Sequence, residues 1–342
     1  MRERDLSALK FGQVRQRLSE LAQSPGGRQA CLRLTPSPSL EVASTALDLA
    51  WQLLRLTEKH GGAARGDFPD VRAALHQAAH PGFVLDGPTR VGVLTVLDAA
   101  RRARAYLATH AATSDGLRAL AERIHPSEEL RATLARSLDP EGNVTDEASD
   151  ELSEVRQTLR RVRARLARRL EAMLERPEVA DVLSDKFVTL RNDRYVLPVR
   201  TASAPQFEGQ VQDRSVSGET TFIEPPFAIE WNNQLLIAAR EEERIVLKIL
   251  ADLTEMLRGE TATLEATYAA IVDVDELHAR ARFARLYQCT PPSLDADEIR
   301  LVQARHPVLL FGERPVVPVD LLLPRDKQVL VITRRNTRGQ TV

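Results

Sequence analysis

LSEVRQTLRRVRARLARRLEAM, residues 152–173, carries its apolar residues on one side of a helix. Leu152, Val155, Leu159, Val162, Leu166 and Met173 return at alternating steps of three and four, with Leu170 one place from the missing member. That spacing holds an apolar stripe in line over many turns and lets a second helix lie along it. Between Arg156 and Arg169 there are seven arginines and no acid, a face too polar to bury. The pattern approaches its end at Pro177. From Lys186 the texture changes to period two with β-branched residues: KFVTLRNDRYVLPVR (186–200), GQVQDRSVSG (209–218) and ETTFIEP (219–225). Helical spacing returns near Phe227 through Leu235, Ala239, Val246, Ile249, Leu253 and Leu257. A small β unit between two long helices makes the economical geometry a pair of antiparallel helical arms with a β-rich tip.

The flanking sequence is helical too. Leu9, Phe11, Val14, Leu18 and Leu21 keep helical spacing up to SPGG (24–27), and a helix start at Ser39 leads to an apolar face through Leu47, Trp51, Leu54 and Leu56. Shorter helices are expected over 69–79, 87–110 and 115–138, and a last one over 262–288. Aromatic content is 4%, and leucine, alanine, arginine and glutamate abound, as in chains dominated by long helices. With 43% hydrophobic and 28% charged residues, the 342-residue chain can bury ordinary cores. No apolar run approaches the ~20 residues that a bilayer requires. The charged start MRERDLSALK has no signal-peptide core, so the cytoplasm is the expected compartment. The net charge of −1 means that any nucleic-acid surface must be a local patch. Cys31 and Cys289 stand far apart in no motif and read as reduced core thiols.

From Ile299 the pattern is strand-like again, in IRLVQARHPVLL (299–310), VVPVDLLL (316–323) and KQVLVIT (327–333). The last runs into VITRRNTRGQTV (331–342), which falls on the frame of a phosphate-binding loop. Such a loop uses glycines for close backbone approach, a lysine for the outer phosphates and a hydroxyl for Mg²⁺. Here the first glycine position is Arg334, the second Gly339, the lysine Gln340 and the hydroxyl Thr341. Gln340 has no charge to offset a triphosphate, and Arg334 has a Cβ where close approach is wanted. Taken alone, the loop match could equally be accidental.

Other residues bear on that choice. Asn336, Thr337, Gly339 and Thr341 match the G-P-N-T-G-G-K-T loop of the MutS family, while Arg334, Arg335, Arg338 and Gln340 do not. Ala304-Arg305-His306-Pro307 followed by Val316-Val317-Pro318 looks like the opening of that family's ATPase domain. The stretches Arg191–Val199 and Gly209–Pro225, with Glu230 and Asn232-Asn233, resemble the clamp of the second bacterial branch, MutS-II. The resemblance begins at Leu9-Lys10-Phe11 and Gly27-Arg28 and covers essentially the whole chain.

It implies a mainly α fold: a helical core over 1–140, an ascending lever helix over 141–185 and a β-rich clamp over 186–226. Descending lever and core helices follow over 227–295, then the opening strands of an incomplete ABC-type ATPase domain over 296–342. For an intact member it implies ATP and Mg²⁺ as cofactors, a homodimer, and ATP-dependent, structure-selective endonuclease activity on branched or duplex DNA that restrains homologous recombination. The branch is also associated with splitting stalled or collided ribosomes, which makes ribosomal RNA a second partner. For this chain, no cofactor and no ATP hydrolysis are expected, and a piece of a longer protein is favoured over true degeneration of the loop. Membrane association is not expected.

The nucleotide-loop candidates are therefore Arg334, Asn336, Thr337, Gly339, Gln340 and Thr341, and the nucleic-acid candidates are Lys186, Arg191, Arg194, Arg200 and Arg214. A basic cluster at the end of long arms can meet phosphates without sequence preference. The plainer reading pairs it with Asp193, Asp213 and Glu219. The arginines of 156–169 invite the same idea, although charge pairing with Glu151, Glu154, Glu171, Glu175 and Glu241-Glu242-Glu243 accounts for them at least as well. His76 and His80 lie one turn apart but lack the glutamate of HExxH and a third ligand, so no metal site is expected. His306 reads as a packing residue. Asp273 and Asp275 do not share a helix face, and no catalytic residue is assigned. A different class of function, a helical dimerisation scaffold without nucleic-acid affinity, stays open, as does cutting of DNA by the chain itself.

Overall fold

The computed structural model describes residues 3–37, 39–62, 67–111, 114–294, 298–312 and 314–331. The fold is mainly α. Helices α1 (Glu3–Ala8), α2 (Phe11–Ser19), α3 (Pro25–Leu32), α4 (Leu40–His60), α5 (Arg72–Ala78), α6 (Gly87–His110), α7 (Asp115–Glu122) and α8 (Glu128–Ser137) come first. Then come α9 (Asp150–Leu174), α10 (Pro177–Ala180) and strands β1 (Thr189–Arg191), β2 (Arg194–Arg200), β3 (Gln210–Arg214) and β4 (Thr220–Glu224). Helices α11 (Pro226–Gly259) and α12 (Thr261–Leu286) precede β5 (Ile299–Ala304), α13 (Pro307–Leu310) and β6 (Val319–Leu323). Contacts divide the chain into two units. One comprises Met1–Phe83, Pro88–Arg131 and Leu257–Val342; the other comprises Val84–Gly87 and Ala132–Met256.

In the first unit α12 lies against α2, α3, α4 and α5. It buries Leu264, Tyr268, Ile271, Val274, Leu277 and Ala281, which go round more than one side of the helix. The SPGG turn proves to be a docking device as well as a helix break. Ser24 caps α3 by accepting from the Gly27 N–H. Buried Asp275 of α12 accepts from the backbone N–H of Gln23 and Ser24 and from Ser24 Oγ. A Cβ on Gly27 would stand 2.1 Å from Asp275 Oδ2, so only glycine admits this approach. Below the turn, Leu18, Ala22, Cys31 and Ala279 form a small core. Cys31 is a core thiol as expected, but Cys289, just beyond the end of α12, is exposed.

Three local readings change. The helix expected through residues 9–21 breaks at Lys10, which takes a left-handed φ of 53° between α1 and α2. The helix expected over 115–138 divides into α7 and α8 around Pro126, which lacks the N–H that a continuous helix would use, and Ser127, with φ 43°. The strand expected from Lys327 is not formed over 327–331. Strands β5 and β6 do pair antiparallel, Ile299 opposite Leu323, with Val302 and Leu322 exposed.

The second unit is built on the quoted helix. Ser149 starts α9 by accepting from the Leu152 N–H. The buried stripe is Leu152, Leu159, Leu166, Leu170 and Leu174; Val155, Val162 and Met173 are partly buried beside it. From Leu159 onward the stripe shares one core with Val179, Leu183, Leu197, Val199 and Ile223, and with Ala228 and Leu235 of α11. The two helices run antiparallel, because Arg156 meets Glu242 while Arg169 stacks over Phe227 and Trp231. Between them the sheet has the antiparallel order β1-β2-β4-β3. Asn192 and Asp193, with φ 49° and 59°, make the tight β1–β2 turn that suits the strand twist. Central strands β2 and β4 are buried over Val196–Val199 and Thr221–Glu224.

Candidate nucleic-acid interface

Alternation along β4 turns Thr221 and Ile223 to one face, where Ile223 joins the core shared with α9 and α11, and Phe222 and Glu224 to the other, where a carboxylate is nonetheless enclosed. Glu224 is completely buried. It accepts from Arg194 Nη1 at 2.8 Å, Gln212 Nε2 at 2.6 Å and Asn232 Nδ2 at 2.7 Å. Asn232, also fully buried, bridges from α11 to β2: its Oδ1 accepts from the Tyr195 N–H and its Nδ2 donates to the Tyr195 carbonyl. Arg194 Nη2 reaches on to Asn233 Oδ1 at 2.7 Å. A buried charge is tolerated when it is paired and its remaining lone pairs are satisfied. The network is therefore a polar lock between sheet and helix.

This lock sorts the sequence candidates. Arg194 is held by Glu224 and only partly exposed. Arg191 lies 3.5 Å from Asp213 and over the Phe222 ring at 4.3 Å from its centroid, so it is half engaged. Lys186, Arg200 and Arg214 are exposed and have no ion-pair partner among the described residues. Arg200 and Arg214 flank the start of β4, opposite Thr220 and Thr221. Lys186 follows Ser184, whose hydroxyl accepts from Thr220 Oγ1. By these registers Arg200 and Arg214 lie at the end of the sheet that carries the β3–β4 turn, on opposite faces of it. There Ser215 receives the Gly218 N–H and Thr201 Oγ1 donates to the Gly218 carbonyl, fixing a turn whose Val216 is fully exposed.

The arm arginines divide as well. Arg156 binds Glu242 at 2.7 Å and Asp146 at 2.9 Å, and Arg160 binds Asp146 at 3.0 Å. These guanidiniums hold the Asp146 carboxyl below its ordinary range. Arg244 of α11 meets Glu151 of α9 at 3.1 Å, so charge pairing crosses the seam at the end where α9 begins. Residues 161–168 do not share in it.

Gln212 and Asn232 were not among the sequence candidates. Strand alternation gives no signal for them, because Glu224 is out of phase with Ile223, the residue that joins the shared core. Residues 334–341 lie outside the described residues, so the placement of Arg334, Asn336, Thr337, Gly339, Gln340 and Thr341 is not described. Asp273 pairs with Arg123 at the surface while Asp275 caps α3, so the two do not converge. His76 and His80 meet edge to face at 5.3 Å, and His306 accepts from the Val308 N–H at the start of α13. Among the described residues no group of three or more His, Cys, Asp or Glu could hold a metal, and no helix is long and apolar enough to cross a membrane.

Fold and site together define a class: a mainly helical protein in which a cation-bearing sheet is inserted between two long antiparallel helices. Over the whole chain the sequence is 34% identical to the "Endonuclease MutS2" of Aquifex aeolicus (strain VF5). It is 32% identical to that of Geobacillus sp. (strain WCH70) and 34% identical to the "Putative endonuclease MutS2" of Bacillus subtilis (strain 168). All of the chain is covered, against 44% of each relative, so the chain spans less than half the length of these proteins. No family model matches it. The chain belongs to the MutS2 family.

Proposed function

We propose that this chain is the nucleic-acid-gripping part of a MutS2 protein. The α9–α11 pair serves as the lever and the four-stranded sheet as the clamp that lays its cations on a sugar-phosphate backbone. The supporting observation is the contrast at the sheet: Arg194 is consumed by Glu224, whereas Lys186, Arg200 and Arg214 are exposed and unpaired. Binding of this kind is electrostatic and indifferent to sequence, and it suits branched and duplex DNA.

For the whole protein the proposal is an ATP- and Mg²⁺-dependent endonuclease that acts on DNA structure, restrains homologous recombination and parts stalled ribosomes. It would work as a homodimer whose ABC-type head begins with β5 and β6. The residues of this chain do not fit ATP by themselves: Gln340 supplies no charge and Arg334 no freedom for a phosphate-binding turn. No step is derived through the nucleotide.

The test is titration of a fluorescein-labelled four-way junction and a matched duplex over a salt series. Affinity is expected to fall steeply with salt. K186Q/R200Q/R214Q should flatten the slope of log K against log salt by up to about 0.9 per cation removed. An absence of binding at low salt would instead favour a scaffold.

A further inference from the structure

The helix that opened the sequence carries a feature that the seam does not use. Arg161, Arg165 and Arg168 stand at i, i+4 and i+7 on α9 and are exposed. They occupy one outward row of ~10 Å along the helix axis. Their contacts are confined to their own helix: Arg161 Nη2 donates to Thr158 Oγ1 and Arg168 Nε to the Ala164 carbonyl. Arg165 has no ion-pair or hydrogen-bond partner among the described residues. Glu171, three residues beyond Arg168, makes no ion pair with it.

Other helices of the chain offset such charges. Arg118 is paired with Asp115, Arg131 with Glu128 and Arg244 with Glu241, each at three residues' separation. Like charges one turn apart weaken a solvated helix. A helix that needed only to be soluble would interleave acids in this row, as α11 does at Glu241 and Arg244. Of the other arginines of the same run, Arg156 and Arg160 are held by carboxylates and Arg169 by two aromatic rings, while Arg163 is exposed with no ion pair among the described residues.

We propose that the outer row Arg161–Arg165–Arg168 is a second phosphate-contacting surface, taking the backbone of nucleic acid engaged by the sheet. The inference rests on the nucleic-acid reading above and extends it from the sheet to the arm. Duplex DNA presents one charge per ~1.7 Å of axis, so three guanidiniums over this length can each meet a phosphate. Arginine suits the task because its planar fork grips phosphate oxygens two at a time. An acidic polypeptide is less well matched, since the apolar residue beside the row, Ala164, has only a methyl group to anchor one.

The experiment compares the 342-residue chain with R161Q/R165Q/R168Q, with K186Q/R200Q/R214Q and with the triple lysine variant at the arm, all on a fluorescein-labelled ~30-bp duplex. The glutamine arm variant should lose about tenfold or more in affinity at low salt and flatten the salt slope by roughly 2 to 3. The lysine variant should restore most of the slope, and helicity and Tm of the glutamine variant should not fall. Loss of binding in the sheet variant with an unchanged slope in the arm variant would overturn the inference and leave the proposed function standing. Failure of the unaltered chain to bind would overturn both, as would a lowered Tm with no lysine rescue overturn the arm alone.

Discussion

Glu224 shows how a single residue can carry much of a unit's definition. Its carboxylate is wholly enclosed and has three side-chain donors from β2, β3 and α11. Glu224→Ala leaves the Arg194 charge and an Asn232 amide without their acceptor, and removing one partner of a buried pair costs about 3–5 kcal/mol. In a W51F background, where Trp231 reports on α11, urea unfolding should show that loss. A cost under about 1 kcal/mol would mean that water readily replaces the carboxylate. The network was only partly legible beforehand. Strand alternation sets Glu224 on the face opposite Ile223, and nothing in the sequence says that Arg194 rather than Arg191 turns to meet it. That choice is made by the register, which sets Arg191 over Phe222 instead.

At the level of elements, the period of three and four in α9 marks the side on which Leu152, Leu159 and Leu166 are buried. Leu166 sits fully enclosed at the centre of that stripe and belongs to the core shared with the sheet and α11. Leu166→Ala should cost about 2–5 kcal/mol, with the higher figure if the two helices cannot close the gap. Arg165→Ala one place earlier should leave stability unchanged or slightly raised, because it relieves like charges on the solvent side. Chemical denaturation of the two variants side by side checks both statements. The elements that escaped the sequence are those whose breaks depend on one backbone angle. Lys10 and Ser127 enter left-handed φ without a glycine to announce it. The apolar run from Lys327 carries strand propensity, but β-propensity acts through packing and pairing, and residues 327–331 take part in neither ladder.

On the scale of the whole molecule, the first unit is discontinuous: the chain leaves it after the opening helices and returns with α12. Its small core around Cys31 therefore joins residues of α2 and α3 to Ala279, with Phe283 packed beside them, from the far end of the sequence. Sequence periodicity cannot reveal such a closure, because α12 is buried on several sides and has no single apolar stripe to match with a partner. The two cysteines report on it. Cys31 is fully buried, and that burial pushes its thiol up to about 12, while Cys289 is exposed. Thiolate is the reactive form, so at pH 8 a chromogenic disulfide reagent should modify Cys289 alone in the folded chain and both thiols in denaturant. A chain ending at Met256 lacks Ala279 and Phe283 as well as Asp275, the cap acceptor for the Ser24 turn. Its single remaining thiol, Cys31, should then react in native buffer at a rate close to that in denaturant. If it stayed protected, α2 and α3 would have a core independent of α12, and the closure argued from Asp275 and Gly27 would be secondary to it.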